Sequence, residues 1–281
     1  MYPPVDPIIF EIGPFALRWY GLLMLTAILV AAQVAVREVA SKGENPDNLW
    51  DMLFWILIPG FIGARLYYVF IQSPRGPEGL GYYLNNPGQI LQIWGGGIHI
   101  FGGFIFGGLA LWLFTRIRKL DARLYLDAIA LGLPLAQAIG RWGNFINQEL
   151  YGPPTTLPWG LRIDAQHRIA PYNDFATYPL STHFHPLFLY ESLWNFVGFG
   201  VIFWLSRRFR KELKAGDIAL MYLIWYPLGR FFIEFLRTDS WFFPGTPFNV
   251  VHGLSAIAVL GGAIGLYWRH RPQAQAPPYK G

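Results

Sequence analysis

The stretch Leu124–Gly152, LYLDAIALGLPLAQAIGRWGNFINQELYG, decides how the chain is read. Its first part is an apolar run long enough to cross a bilayer, since a span needs about 20 mostly apolar residues. Its last part puts Arg141, Asn144, Asn147 and Glu149 where that helix should be ending. Arg141 and Asn144 are three apart and share a helical face, while Gly140 and Gly143 let other groups approach closely. A guanidinium with amide donors at that depth suits a phosphate or carboxylate. The competing reading is a capped helix end whose side chains bind backbone.

The rest of the chain has the same character. Of 281 residues, 53% are hydrophobic, 18% aromatic and only 14% charged, too apolar for an ordinary soluble domain. Seven stretches qualify as spans, roughly 15–36, 49–71, 97–115, 124–146, 186–205, 217–237 and 249–268. The expected fold class is therefore an all-α polytopic membrane protein of about seven transmembrane helices. No basic region precedes the first span, which reads as a retained helix rather than a signal peptide. There is no cysteine, which excludes disulfides and thiolate chemistry within the chain.

Lys and Arg alternate in density between successive connections, with fourteen in one set and four in the other. By the positive-inside rule the N-terminus lies outside and the C-terminus in the cytoplasm. The net charge of +5 is then mostly an orientation signal, and no nucleic acid is expected as a partner. A single transmembrane domain is expected over 1–270. Within it the proline-rich segment 147–185 forms an outward-facing head, and 271–281 is a disordered cytoplasmic tail.

Ionisable residues within spans are costly, and usually paired or functional. Arg65, Arg141 and Arg230 each fall roughly 10 Å before an outer helix end, Glu191 lies at a similar depth, and Tyr20 and His99 are also on the outer side. Pro59, Pro134 and Pro227 precede the three arginines and would loosen the helices there. Tyr226, Arg230, Glu234 and Arg237 make one helical stripe. That stripe is either a polar seam with chemistry or a structural Arg230–Glu234 pair, and for Arg18 and Arg237 snorkelling to the headgroups and function stand level. The glycine patterns in GGFIFGG (102–108) and at 261–265 read as helix packing. His183 and His185 lack the companions of a metal site, so no metal is expected. From intramembrane charge alone, an enzyme and a transporter or lipid flippase with an outer-leaflet anion site stand level.

Five pieces in order, RWYG (18–21), GGGIHIFGG (95–103), GRWGNFINQELYG (140–152), HPLFLYE (185–191) and GRFFIEFLR (229–237), resemble the prolipoprotein diacylglyceryl transferase family of bacterial membrane enzymes. The resemblance implies transfer of the diacylglyceryl group of phosphatidylglycerol onto the lipobox cysteine thiol of a preprolipoprotein, with release of glycerol phosphate and no cofactor. It further implies a multi-pass protein of the bacterial cytoplasmic (inner) membrane, binding membrane lipid and acting toward the outer leaflet. By motif position Arg141 would hold the lipid phosphate, with Asn144, Asn147, Glu149 and Gly152 shaping that site. Arg230 would be the second essential arginine, with Tyr226 and Glu234 beside it and Tyr20 facing it; Arg237 and Glu191 would be secondary. The family often has a histidine where this chain has Phe101, and His99 would serve in its place only if the backbone there is extended.

Overall fold

The computed structural model describes residues 1–13, 15–72, 79–92 and 96–272. Pro14, 73–78, 93–95 and 273–281 lie outside the described residues, and with the last of these most of the expected tail. The chain divides into two compact units, Met1–Val34 with Asp127–Gly281, and Ala35–Leu126. Their boundaries fall inside two long helices, α1 (Trp19–Ser41) and α5 (Ala122–Ile146).

In the Ala35–Leu126 unit, α2 (Asp47–Tyr67) runs on through a π-helical turn at Tyr68–Gln72. A short α3 (Leu80–Asn85) and a 3₁₀ turn at Pro87–Leu91 follow, and then α4 (Ile100–Arg118). Helices α2 and α4 pack along small residues. A Cβ at Gly102 would lie 2.1 Å from the Gly63 carbonyl oxygen, and one at Gly63 would lie 2.3 Å from the Phe106 ring. In lipid there is little hydrophobic drive between helices, so close backbone approach supplies the association. Arg65 is buried and donates to the backbone carbonyls of Gln89, Ile90, Gly96 and Gly97 at 2.6–2.9 Å. This arginine ties residues 89–90 and 96–97 to α2 through backbone carbonyls.

In the larger unit, β1 (Ile8–Ile12) and β2 (Phe15–Arg18) pair antiparallel with a register shift between Ile8 and Phe10. The first span consequently starts at Trp19 and not at residue 15. The hairpin takes residues 15–18, and the helix recovers the length at its other end. Helices α6 (Leu187–Arg208), α7 (Asp217–Glu234) and α8 (Val250–His270) pack in sequence, α6 on α7 and α7 on α8. Asp127 of α5 caps α7, accepting from the amides of Gly216 (2.7 Å) and Ala219 (2.8 Å), which fixes where α7 begins.

Among the described residues six helices are long and apolar enough to cross a membrane: Trp19–Ser41, Asp47–Ile71, Ile100–Arg118, Ala122–Ile146, Leu187–Arg208 and Val250–His270. The protein is an all-α polytopic membrane protein. The remaining predicted span is α7, an 18-residue helix that carries Asp217, Arg230 and Glu234. Large apolar side chains such as Phe104, Trp204, Ile257 and Trp268 stand exposed on the long helices, as lipid-facing residues do. Pro59, Pro134 and Pro227 all lie inside helices.

The 147–185 segment has its own small core, in which Tyr151, Leu161, Ile163, Tyr172 and Phe184 join Phe145 of α5 and Phe188 of α6. Strands β3 (Leu161–Arg162) and β4 (His183–Phe184) pair antiparallel. Thr155 and His185 extend the ladder on β4's other side, through Thr155 N–H to the His183 carbonyl (2.8 Å) and His185 N–H to the Pro153 carbonyl (2.9 Å). Arg168, buried, donates to the carbonyls of Ile163, Tyr178, Pro179 and Leu180, so it is a structural clamp like Arg65. The hydrogen bond from Gln148 holds the Asp164 carboxyl below its ordinary range, aided by Tyr2.

Gly102→Leu should lower the thermal midpoint in detergent by about 4 °C or more, because the side chain must part α2 from α4. Gly108→Leu, with open space beside it, should leave the midpoint within about 1 °C.

Candidate active site

The end of α5 folds back on itself. Asn147, Gln148 and Glu149 donate their amides to the carbonyls of Gly143, Phe145 and Asn144. Gln148 (φ 53°) and Leu150 (φ 56°) are left-handed. Gln148 is held there by its side chain, which both donates to and accepts from Asp164 at 2.8 Å. The turn swings Glu149 beneath the helix end, where its Oε1 accepts from Asn144 Nδ2 (2.8 Å) and Asn147 Nδ2 (3.3 Å). With its nitrogen committed to a carboxylate, the Asn144 amide points its oxygen at Arg141, which donates from Nη1 at 3.2 Å. The polar residues of this helix end therefore orient one another, and the endpoint of the chain of contacts is the Arg141 guanidinium.

That guanidinium meets Glu191. The Arg141 Nη2 pairs with Glu191 Oε2, while Glu191 Oε1 lies 3.8 Å from Arg230 and 3.9 Å from Arg237. The Glu191 side chain is only 5% exposed. Arg230 pairs with Glu234 at 2.6 Å, and Glu234 accepts from Asn249 at 3.1 Å. Asn249 also caps α8 through the amides of Val251 and His252. Arg237 binds Asp239 with two nitrogens, at 2.8 and 2.5 Å. Burial pushes the Asp239 carboxyl up, but the hydrogen bonds and charge of Arg237 outweigh it and hold the group below its ordinary value. Three guanidiniums thus face three carboxylates, a balance that a low-dielectric interior requires.

Gly152 is wedged at the junction of three elements. Its N–H donates to the His185 carbonyl (2.9 Å), and an added Cβ would lie 2.9 Å from the Leu236 carbonyl oxygen and 3.0 Å from the His185 Cβ. Only glycine lets the chain leaving α5 touch both the entry to α6 and the exit of α7, and this closeness brings Arg141 against Glu191.

Helices α6 and α7 are locked by two tryptophans. Trp194 Nε1 donates to the Trp225 carbonyl and Trp225 Nε1 to the Trp194 carbonyl, both at 3.1 Å, with the rings stacked at 4.8 Å. Each indole lies on a glycine, Trp194 on Gly229 and Trp225 on Gly198. Tyr226 and Arg230 line a small pocket with Glu191, Asn195 and Ile233. Tyr226 stacks on Tyr222 (5.8 Å), whose hydroxyl accepts from Gln137 at 2.8 Å. Tyr20 packs its ring on Gly143 of α5, and Glu149 and Arg141 are the charged groups that act on its hydroxyl.

His99 and Phe101 belong to the other unit. His99 is extended (φ −129°, ψ 131°) and caps α4, its Nδ1 accepting from the Phe101 amide at 3.3 Å. Both rings contact Tyr67, His99 stacked at 4.9 Å and Phe101 edge-on at 6.2 Å. The two side chains therefore share one aromatic neighbour although Phe101 is helical. The Nδ1 lone pair is occupied by the cap, which leaves Nε2 as the protonated nitrogen. Among the described residues no three His, Asp or Glu side chains converge as a metal site.

Sequence reading brought forward Arg141, Asn144, Asn147, Glu149, Arg230, Glu234 and Arg237, and the structure brings these together. It treated Glu191 as secondary, whereas Glu191 is the group that three arginines share. It missed Asn249, Asp239 and the Trp194–Trp225 lock. Only Glu191 carried a usable signal, as the lone carboxylate of its span at the depth of the arginines.

Fold and site together define a polytopic membrane protein built around a buried arginine–carboxylate cluster. The family model for prolipoprotein diacylglyceryl transferase matches residues 7–268. Phosphatidylglycerol--prolipoprotein diacylglyceryl transferase of Chloroflexus aggregans is 41% identical over 295 residues, covering 99% of this chain and 94% of that protein. The proteins of the same name from Lactobacillus johnsonii (41%, 98% of this chain and 94% of that one) and Synechococcus elongatus (40%, 93% and 86%) are similar over nearly as much. The chain belongs to the prolipoprotein diacylglyceryl transferase family, and it is a transferase.

Glu191→Ala should cost about 3 kcal/mol or more of stability, because it leaves Arg141 without its carboxylate and removes the negative charge that balances Arg230 and Arg237 in the interior. Asp239→Ala, at a side chain 48% exposed, should cost under about 1 kcal/mol. Thermal unfolding of the two variants in one detergent checks the contrast, and equal losses would contradict the central place of Glu191.

Proposed function

We propose that the protein transfers the diacylglyceryl group of phosphatidylglycerol to the lipobox cysteine thiol of preprolipoproteins, the first step of lipoprotein maturation. The observation that carries this reading is the paired but partly accessible Arg141, oriented through Asn144 and Glu149 and held by a carboxylate that a phosphate would replace. Family membership over nearly the whole chain supports it.

In this mechanism the thiolate sulfur bonds to the glyceryl carbon as that carbon's bond to the phosphate ester oxygen breaks. The electron pair departs with glycerol phosphate, so negative charge grows on the phosphate and must be met by fixed donors. Arg141 takes one phosphate oxygen, giving up Glu191, and Arg230 meets the charge that develops on the leaving group. Asn144, Asn147 and Glu149 keep Arg141 aimed, and Gly152 keeps α5, α6 and α7 close enough for the site to exist. Arg237 shares Glu191 with the other two arginines and steadies it.

The thiol, with an ordinary pKa of about 8.5, must lose its proton to react. Tyr226, Glu234, Tyr20 and His99 are the groups proposed to receive it, directly or through water, and the departing phosphate is its final acceptor. His99 must release the Phe101 amide before Nδ1 can take a proton. Nucleophile and leaving group both come from the substrates, so the step needs no cofactor.

We place the protein in the bacterial cytoplasmic (inner) membrane with seven spans, α7 included, the N-terminus outside and the cluster toward the outer leaflet. The distribution of Lys and Arg supports this orientation, and at 1.5 Å per residue α7 is about 27 Å long, close to the hydrocarbon thickness.

Purified protein incubated with phosphatidylglycerol and a lipobox peptide should yield the thioether product by mass. Arg141→Ala should reduce the rate by roughly 100-fold or more. No product from the wild type, or full activity in Arg141→Ala, would overturn the proposal. His99→Gln separates the proton acceptors, since an unchanged rate would remove His99 from the mechanism.

A further inference from the structure

Asn195 lies one helical turn beyond Glu191 on the same face of α6. It is 2% exposed, lines the pocket shared by Glu191, Tyr226 and Arg230, and donates from Nδ2 to the Glu191 carbonyl at 2.8 Å. That bond settles which way the amide points. The opposite assignment would set two oxygens against each other at the same distance. The oxygen left over, Oδ1, is buried and has no hydrogen-bond partner among the described residues. Arg230 Nη1, which lines the same pocket, is likewise buried without a hydrogen bond, its nearest carboxylate being Glu191 at 3.8 Å.

A buried acceptor without a partner costs about 1–3 kcal/mol, and natural proteins retain few of them without cause. Here an unfilled acceptor and an unfilled cationic donor belong to two residues that line one small pocket, with Trp194 of the Trp194–Trp225 lock in its wall. The pair is complementary to a ligand that carries an anionic oxygen and, a few bonds away, a neutral hydroxyl. An ammonium headgroup would also satisfy the amide oxygen, but it would have to sit beside the Arg230 guanidinium. A hydroxyl meets no such repulsion.

We propose that Asn195 Oδ1 accepts a hydrogen bond from a hydroxyl of the bound lipid's headgroup and so selects polyol-phosphate lipids at this site. The inference rests on the transferase reading above and adds a specificity residue to it. Asn195 does not touch the reacting bond; it reads the end of the leaving group while Arg230 reads the phosphate.

The test compares two lipids on the same enzyme preparation, phosphatidylglycerol and phosphatidylpropanol, which keeps the phosphate and acyl chains and lacks headgroup hydroxyls. Wild-type kcat/KM should favour phosphatidylglycerol by roughly tenfold or more, the factor that leaving a buried acceptor unpaired implies. In Asn195→Leu and Asn195→Ala that ratio should fall toward one. Because the ratio is taken on one preparation, a partly folded variant cannot imitate the change. Equal use of the two lipids by the wild type, or a wild-type ratio retained in both variants, would overturn the proposal and leave a resident water as the partner of Oδ1. Absence of product from either lipid with wild-type enzyme would instead refute the transferase reading itself.

Discussion

A single carboxylate, Glu191, shared by Arg141, Arg230 and Arg237, is the contact on which the rest of the site depends. Placing three guanidiniums together inside a membrane helix bundle is expensive unless each is matched. Here Glu191 is common to all three, and Glu234 and Asp239 each complete one of the outer arginines. The cluster is electrically balanced and has little charge to spare. In the proposed function a phosphate that enters would displace a carboxylate from a guanidinium, which would make anion binding an exchange at Arg141 and avoid a vacant positive hole. The same exchange would reach Arg230 and Arg237 through the carboxylate they share.

The scaffold around this contact consists of devices that bring backbones unusually close. Gly152 lets the chain leaving α5 lie against His185 and Leu236, and the β3–β4 ladder of the head ties that exit to the start of α6. Trp194 and Trp225 donate to each other's carbonyls across Gly198 and Gly229, so α6 and α7 hold a fixed separation where the pocket forms. Asn249 couples Glu234 to the start of α8. Each device fixes a side chain by spending a backbone or amide donor, so the guanidiniums are the groups left with capacity to bind something else.

Much of this was legible in the sequence, and the limits have physical causes. Hydropathy located the long helices because a span must be apolar for its whole length. The most displaced start, residues 15–18, went to a hairpin because an apolar strand and an apolar helix end look alike over four residues. Position along each helix was legible from residue number, and it grouped Arg141, Glu191 and Arg230, which the structure brings into contact. The direction each helix face points was not, so Glu191 looked peripheral although it is the hub. Arg65 looked equivalent to Arg141 by depth, yet its partners are backbone carbonyls, which no sequence pattern displays. The Trp194–Trp225 lock was invisible for the same reason.

The central claim is that lipid phosphate and Glu191 compete for the Arg141 guanidinium. Titrating phosphatidylglycerol into detergent-solubilised protein and following the thermal midpoint measures this directly, since a ligand that binds the folded state raises it. The account predicts a lipid-dependent rise in the wild type that is lost in Arg141→Gln and retained in Glu191→Gln at equal or lower lipid concentration, because the competing charge is gone. A rise of the same size and concentration dependence in Arg141→Gln would contradict it.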